Sequence, residues 1–124
     1  MNPKVQVVLD FMKANLDRNL SVTDLACSIQ LSRSRLCYLF KTEVGMSPLQ
    51  FLKSLRIHKA CELLETSFLS VKEIRARVGY TDDSHFLRDF KKTKKLTPSK
   101  YRAQYLPLIL AKDRLERQNK NFRH

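Results

Sequence analysis

Two short runs carry side chains suited to reading the edges of bases. One holds Arg33, Ser34, Arg35, Cys37, Tyr38 and Lys41, and the other Asp83, Ser84, His85, Leu87, Arg88 and Lys91. A guanidinium fork matches the O6 and N7 acceptors of guanine, Ser and His donate or accept, and Tyr38, Leu87 or Cys37 suits a thymine methyl. Asp83 has two readings: an acceptor for cytosine N4, or a first-turn acid serving a helix dipole. His85 and Cys37 also keep plainer readings, as a solvated imidazole and a small, part-buried thiol. Other chemistry is poorly supported. The three Cys, at 27, 37 and 61, form no C-x-x-C, and His58, His85 and His124 lack zinc spacing, so neither metal nor cofactor is expected. Cys37 has no base or metal partner at a recognisable spacing, and no enzyme is expected. Cys27 and Cys61 fall on helical stripes and are expected in the core.

Charge supplies the second half of such chemistry. The 124 residues carry 24 Lys+Arg against 12 Asp+Glu, a formal charge of +12. That excess repels itself unless a polyanion offsets it, and nucleic acid is the leading candidate. Residues 88 to 102 hold seven basic side chains and one acid, Asp89. The expected phosphate contacts are Arg33, Lys41, Lys91, Lys92, Lys94, Lys95, Lys100 and Arg102, which give affinity and register without sequence information. Lys53 and Arg56 add to them, or Arg56 instead braces two halves of the molecule. An anionic membrane is the weaker partner: the apolar stretch Leu106 to Ala111 is too short to span a bilayer, and the first nineteen residues carry charges throughout. An odd, unpatterned Cys count suits a reducing cytoplasm, with association to the nucleoid following from the charge. The competing reading is a basic protein that coats nucleic acid without sequence preference.

The elements that must hold these runs are written twice. Leu20-Ser-Val-Thr-Asp-Leu25 aligns with Leu69-Ser-Val-Lys-Glu-Ile74 at an offset of 49, as does Ile29 with Val78. Leu36, Phe40, Lys41, Met46, Ser47, Pro48 and Phe51 align with Phe86, Phe90, Lys91, Leu96, Thr97, Pro98 and Tyr101 at an offset of 50. The extra residue belongs in a turn, between Ile29 and Leu36 in one copy and between Val78 and Phe86 in the other. Ser21 with Asp24 and Ser70 with Glu73 predict helix N-termini, the latter a capping box. Val22, Leu25, Ala26 and Ile29 make a one-face helical stripe, matched by Val71, Ile74 and Val78. Gly79 then ends a helix in a left-handed conformation. Ser32 and Asp82 cap second helices that bury Leu36, Leu39 and Phe40, or Phe86 and Phe90. Short helix, turn and short helix give helix-turn-helix spacing, in which the second helix enters the major groove of double-stranded DNA.

Val5, Val8, Leu9, Met12 and Leu16 predict a leading helix. Ser47-Pro48 opens a longer one, to about Glu65, roughly 27 Å in length. Its Phe51, Leu52 and Leu55 serve one end, and its Ile57, Ala60, Cys61 and Leu64 the other, as a rigid spacer would. The helix from Pro98 is expected to be short, anchored by Tyr101, with a separate tail helix fraying after about Arg117. The fold class is all-α with about seven helices: a first subdomain at 1–47, a connecting helix at 48–65, a second subdomain at 66–105 and a basic tail at 106–124.

At three places the sequence resembles the AraC/XylS family of bacterial transcription regulators. They are VGYTDDSHFLRDFKKTKKLTPSKYR from Val78 to Arg102, LCYLFKTEVGMSP from Leu36 to Pro48, and RIHKACELL from Arg56 to Leu64. The resemblance implies two readers in successive major grooves of an asymmetric site, activation of transcription, and contact with RNA polymerase. It assigns base reading to Ser34, Arg35, Cys37 and Tyr38, and to Asp83, Ser84, His85 and Arg88. It also implies either a stand-alone regulator or a sensing domain beyond this chain. Three positions depart from the family pattern: Arg75 replaces a small residue, and Lys94 and Lys95 replace an aromatic and a glycine. Lys95 is therefore expected in a left-handed conformation, costing roughly 1 kcal/mol.

Overall fold

A computed structural model describes residues 1–121. Seven helices follow one another: α1 (Pro3–Ala14), α2 (Val22–Ser28), α3 (Arg33–Val44), α4 (Pro48–Thr66), α5 (Val71–Arg77), α6 (Asp83–Lys94) and α7 (Pro98–Asn121). There is no strand among the described residues, in keeping with the all-α expectation. The boundaries follow side-chain caps. Ser21, Ser32, Ser47 and Ser70 accept from the N–H of Asp24, Arg35, Gln50 and Glu73. Asp82 accepts from Ser84 N–H. Complete capping boxes form at Ser47 with Gln50 and at Ser70 with Glu73. The bond from Ser70 N–H, first of all, holds the Glu73 carboxyl below its ordinary pKa.

Two hydrophobic interiors result. Val5, Val8, Leu9 and Met12 of α1 join Leu25, Ala26, Ile29, Leu36, Phe40 and Leu52. Ile57, Ala60, Cys61 and Leu64 of α4 join Ile74, Val78, Tyr80, Phe86 and Phe90. The apolar stripe of α4 thus changes sides between Leu52 and Ile57, as its sequence predicts. Edge-to-face rings reinforce each interior: Phe40 against Phe51 at 5.6 Å and Phe90 against Tyr101 at 5.6 Å.

The turns carry the one-residue difference between the copies: residues 29–32 in one, 78–82 in the other. Four positions that follow helices have positive φ. Gln30 (58°) and Gly79 (90°) follow α2 and α5; Gly45 (92°) and Lys95 (65°) cap α3 and α6. Each copy therefore has one glycine and one strained residue, in opposite order. Lys95 behaves as expected; Gln30 was not anticipated. Lys95→Gly should raise stability by about 0.5–1 kcal/mol by removing the strain, less the entropy that glycine gains on unfolding. Thermal melting should rise by roughly 2–4 °C. A melt unchanged or lowered would show that the Lys95 Nζ bond to Lys92 O, 3.1 Å long, outweighs the strain.

The last helix corrects two expectations. It is not short, and it does not give way to a separate tail helix or fray after Arg117, but runs unbroken to Asn121. Pro107 lies inside it on an exposed face. Ala103, whose carbonyl loses its helical partner there, is itself an exposed residue, and the helix continues past the proline. Of the leucine-rich stretch only Ile109 is buried; Leu106, Leu108, Leu110 and Leu115 are exposed. The tail beyond 121 lies outside the described residues. α7 packs along α4.

Candidate nucleic-acid interface

α3 turns its apolar residues inward. Leu36 and Phe40 are buried and Leu39 is half-buried. The opposite face carries exposed Arg33, Ser34, Arg35, Tyr38 and Lys41, with Cys37 partly covered. The Arg35 guanidinium lies 5.7 Å from the Tyr38 ring centre, so two candidate readers are held together by a cation–π contact.

α6 repeats the plan. Phe86 and Phe90 are buried, while Asp83, Ser84, His85, Leu87 and Arg88 are exposed. Lys91, Lys92, Lys94 and Lys95 extend the exposed basic surface, and Lys100 adds to it from the first turn of α7. The structure thus sets the two candidate reading sets on the outer faces of two equivalent helices. Arg88 is largely exposed and only loosely tied, its Nε 3.8 Å from Asp89. Asp89 itself accepts from the Tyr80 hydroxyl at 2.9 Å, and burial together with this bond pushes the Tyr80 hydroxyl well above its ordinary pKa. A cleft of about 580 Å3 between α4 and α6 is lined by Lys53, Lys92, Lys94 and His58 among others.

Two residues, Arg102 and Cys27, occupy places other than those expected, and a third, Asp83, has a partner within the protein. Arg102 faces the protein: its Nε and Nη2 donate to the carbonyls of Leu64 and Ser67 at 3.4 and 3.2 Å. Burial lowers its pKa, and the side chain closes the end of α4 rather than waiting for a phosphate. Asp83 is already paired, its Oδ1 2.6 Å from Arg75 Nε. Cys27 is exposed, because it points away from the α2 face formed by Leu25, Ala26 and Ile29; Cys61 is buried as expected.

Arg56 takes the bracing role. Its Nε and Nη2 donate to Leu16 O (3.3 Å) and Arg18 O (2.9 Å), in the segment after α1, while its guanidinium stands 5.9 Å from the Tyr80 ring centre. Burial lowers its pKa. One side chain on α4 thereby links the first core to the second.

A family model described as a helix-turn-helix domain matches residues 25–104. A transcriptional regulator from Chromobacterium violaceum, described as AraC-type, is 31% identical; the match covers 83% of this chain and 92% of that one, with a TM-score of 0.76. The chain belongs to the AraC family of helix-turn-helix proteins. The DNA-binding domain of AdpA, solved with a target DNA, is 30% identical, with 82% of this AraC-type chain and 92% of the other covered and a TM-score of 0.79. The lactose operon transcription activator of Staphylococcus xylosus is 32% identical over 105 residues, 85% of this chain but 38% of that protein. The AraC-type chain spans about a third of the length of the curated relatives it matches.

Within this AraC-type frame, the sequence does not show the pairings made across turns, Arg75 with Tyr80 and Asp83 and Tyr80 with Asp89, nor the left-handed conformation of Gln30. Gln30 had a readable signal, since it stands opposite Gly79 at the same offset of 49 as the surrounding residues.

Proposed function

We propose that this AraC-type chain binds double-stranded DNA sequence-specifically in the regulation of transcription, with α3 and α6 as readers in successive major grooves. The observation that carries this is the pair of equivalent second helices, each buried on one face and exposed with hydrogen-bonding and basic side chains on the other. Base readout falls to Ser34, Arg35, Cys37 and Tyr38 on α3 and to Ser84, His85 and Arg88 on α6. Phosphate contacts fall to Arg33, Lys41, Lys91, Lys92, Lys94, Lys95 and Lys100. Residues 1–47 and 66–105 act as the two reading units, and 48–65 as the spacer. Because the two outer faces differ, one protomer reads an asymmetric site. Action as an activator through RNA polymerase, a cytoplasmic place on the nucleoid and the absence of catalysis complete the reading. Among the described residues no helix is long and apolar enough to cross a membrane.

Selection from a random duplex pool at about 150 mM salt tests the proposal, because non-specific binding fades with salt and specific binding persists. An asymmetric motif of two blocks about one helical turn apart supports it. The formal charge of +12 favours one alternative, a sequence-blind coat. A pool that stays random would select that reading instead.

Individual side chains separate the two kinds of contact. Arg88→Ala should cost roughly 1–3 kcal/mol in binding and relax preference at one base pair. Lys92→Ala should weaken all sequences alike and reduce the salt slope by about one. Titrations on the selected and on scrambled duplexes distinguish them; identical behaviour would remove Arg88 from the base readers.

A further inference from the structure

We propose that Arg75 is a positioning residue of the second reader, neutralising Asp83 at the leading edge of α6 so that Asp83 secures the turn and does not read a base. This rests on the reading of α6 as a DNA reader.

The geometry is a two-point lock. Arg75 Nη1 donates to the Tyr80 carbonyl at 2.6 Å, and Nε stands 2.6 Å from Asp83 Oδ1. The Arg75 side chain is 18% exposed and that of Asp83 58%. The buried Nε–H is not aligned on any acceptor, so its attraction to Asp83 is one of charge more than of a directed hydrogen bond. A guanidinium this covered needs a nearby anion, and Asp83 supplies it.

The internal repeat gives a comparison within one molecule. Ala26 on α2 is the counterpart of Arg75, and Arg33, the first residue of α3, is the counterpart of Asp83. Ala26 is 1% exposed and part of the first core. Arg33 is exposed and makes no ion pair among the described residues. The two copies therefore differ at both positions together: a small residue with an unpaired cation in one, a half-buried cation with a paired carboxylate in the other. An unpaired carboxylate approaching a polyanion is repelled, and α6 begins with two acids. Asp82 is committed to its cap, accepting from Ser84 N–H at 2.7 Å. Asp83 is the one whose charge must be covered, and Arg75 covers it from within the protein.

The test titrates a duplex carrying the motif selected by the unchanged protein, at several salt concentrations. Asp83→Asn should select the same motif and bind within about twofold. Arg75→Met should bind roughly five- to twentyfold more weakly, about the range of one displaced charge interaction. The double variant should recover to within about threefold. Arg75→Lys keeps a charge but loses the fork; it should melt lower yet bind almost normally. A double variant as weak as Arg75→Met would overturn the proposal, since a purely structural brace to Tyr80 is lost in both. So would a motif altered at one base pair by Asp83→Asn, or Arg75→Lys binding as weakly as Arg75→Met. The unchanged protein failing to select any motif would instead reject the DNA-reading proposal.

Discussion

Gly79→Ala is expected to destabilise the protein by about 2–5 kcal/mol, the sum of left-handed backbone strain and overpacking. Gly79 has φ +90°, and a Cβ there would overlap the Leu16 carbonyl oxygen and stand 3.0 Å from Arg56 Nε. Neither neighbour yields cheaply. Leu16 O is backbone, and it already accepts from Arg56. Gly45 is the control: it has φ +92° but nothing within 4 Å of the same added atom. Gly45→Ala should therefore show the strain alone, about 1–2 kcal/mol. Urea unfolding of the two variants measures the difference. Equal losses would mean that the contact with Leu16 relaxes freely, and that the close approach of the two halves does not matter at this point.

The second large effect belongs to Arg56. Arg56→Met keeps much of the stem but takes the donor from the part-buried Leu16 carbonyl and the exposed Arg18 carbonyl and removes the cation over Tyr80. Charged hydrogen bonds contribute about 1.5–3 kcal/mol each when buried. The bond to Arg18 O is solvent-exposed, so the expected total is nearer about 2–3 kcal/mol. The functional consequence is a matter of spacing. With the brace intact the two readers keep one separation, and one base pair inserted between the two blocks of the site should cost binding heavily. With Arg56→Met, affinity for the natural spacing should fall roughly tenfold, and the penalty for the insertion should shrink. Equal penalties in both proteins would leave Arg56 with a stabilising role only.

Much of this architecture was legible because it was written twice. The offset change from 49 to 50 placed the turns, the Ser-x-x-acid and Ser-Pro pairs placed the helix starts, and the drifting stripe of α4 separated Leu52 from Ile57. These are local signals, and local signals survive in a single sequence. What escaped was pairing across turns. Arg75 and Asp83 are eight residues apart, and only the path of residues 78–82 brings them together. Charge alone groups Arg102 with the lysines around it, because charge does not say which way a side chain turns. The length of α7 escaped because nothing local in the sequence joins the stretch after Tyr101 to the tail, and Pro107 sits inside the helix on an exposed face.

The way α4 is shared has a consequence for cooperativity. Leu52 lies in one interior and Ile57 to Leu64 in the other, on a helix with no break between them. Loosening either half withdraws packing from a rod that the other half needs, so heat or denaturant finds no seam along which to part the molecule. The two halves are separate as surfaces but a single unit as matter that melts.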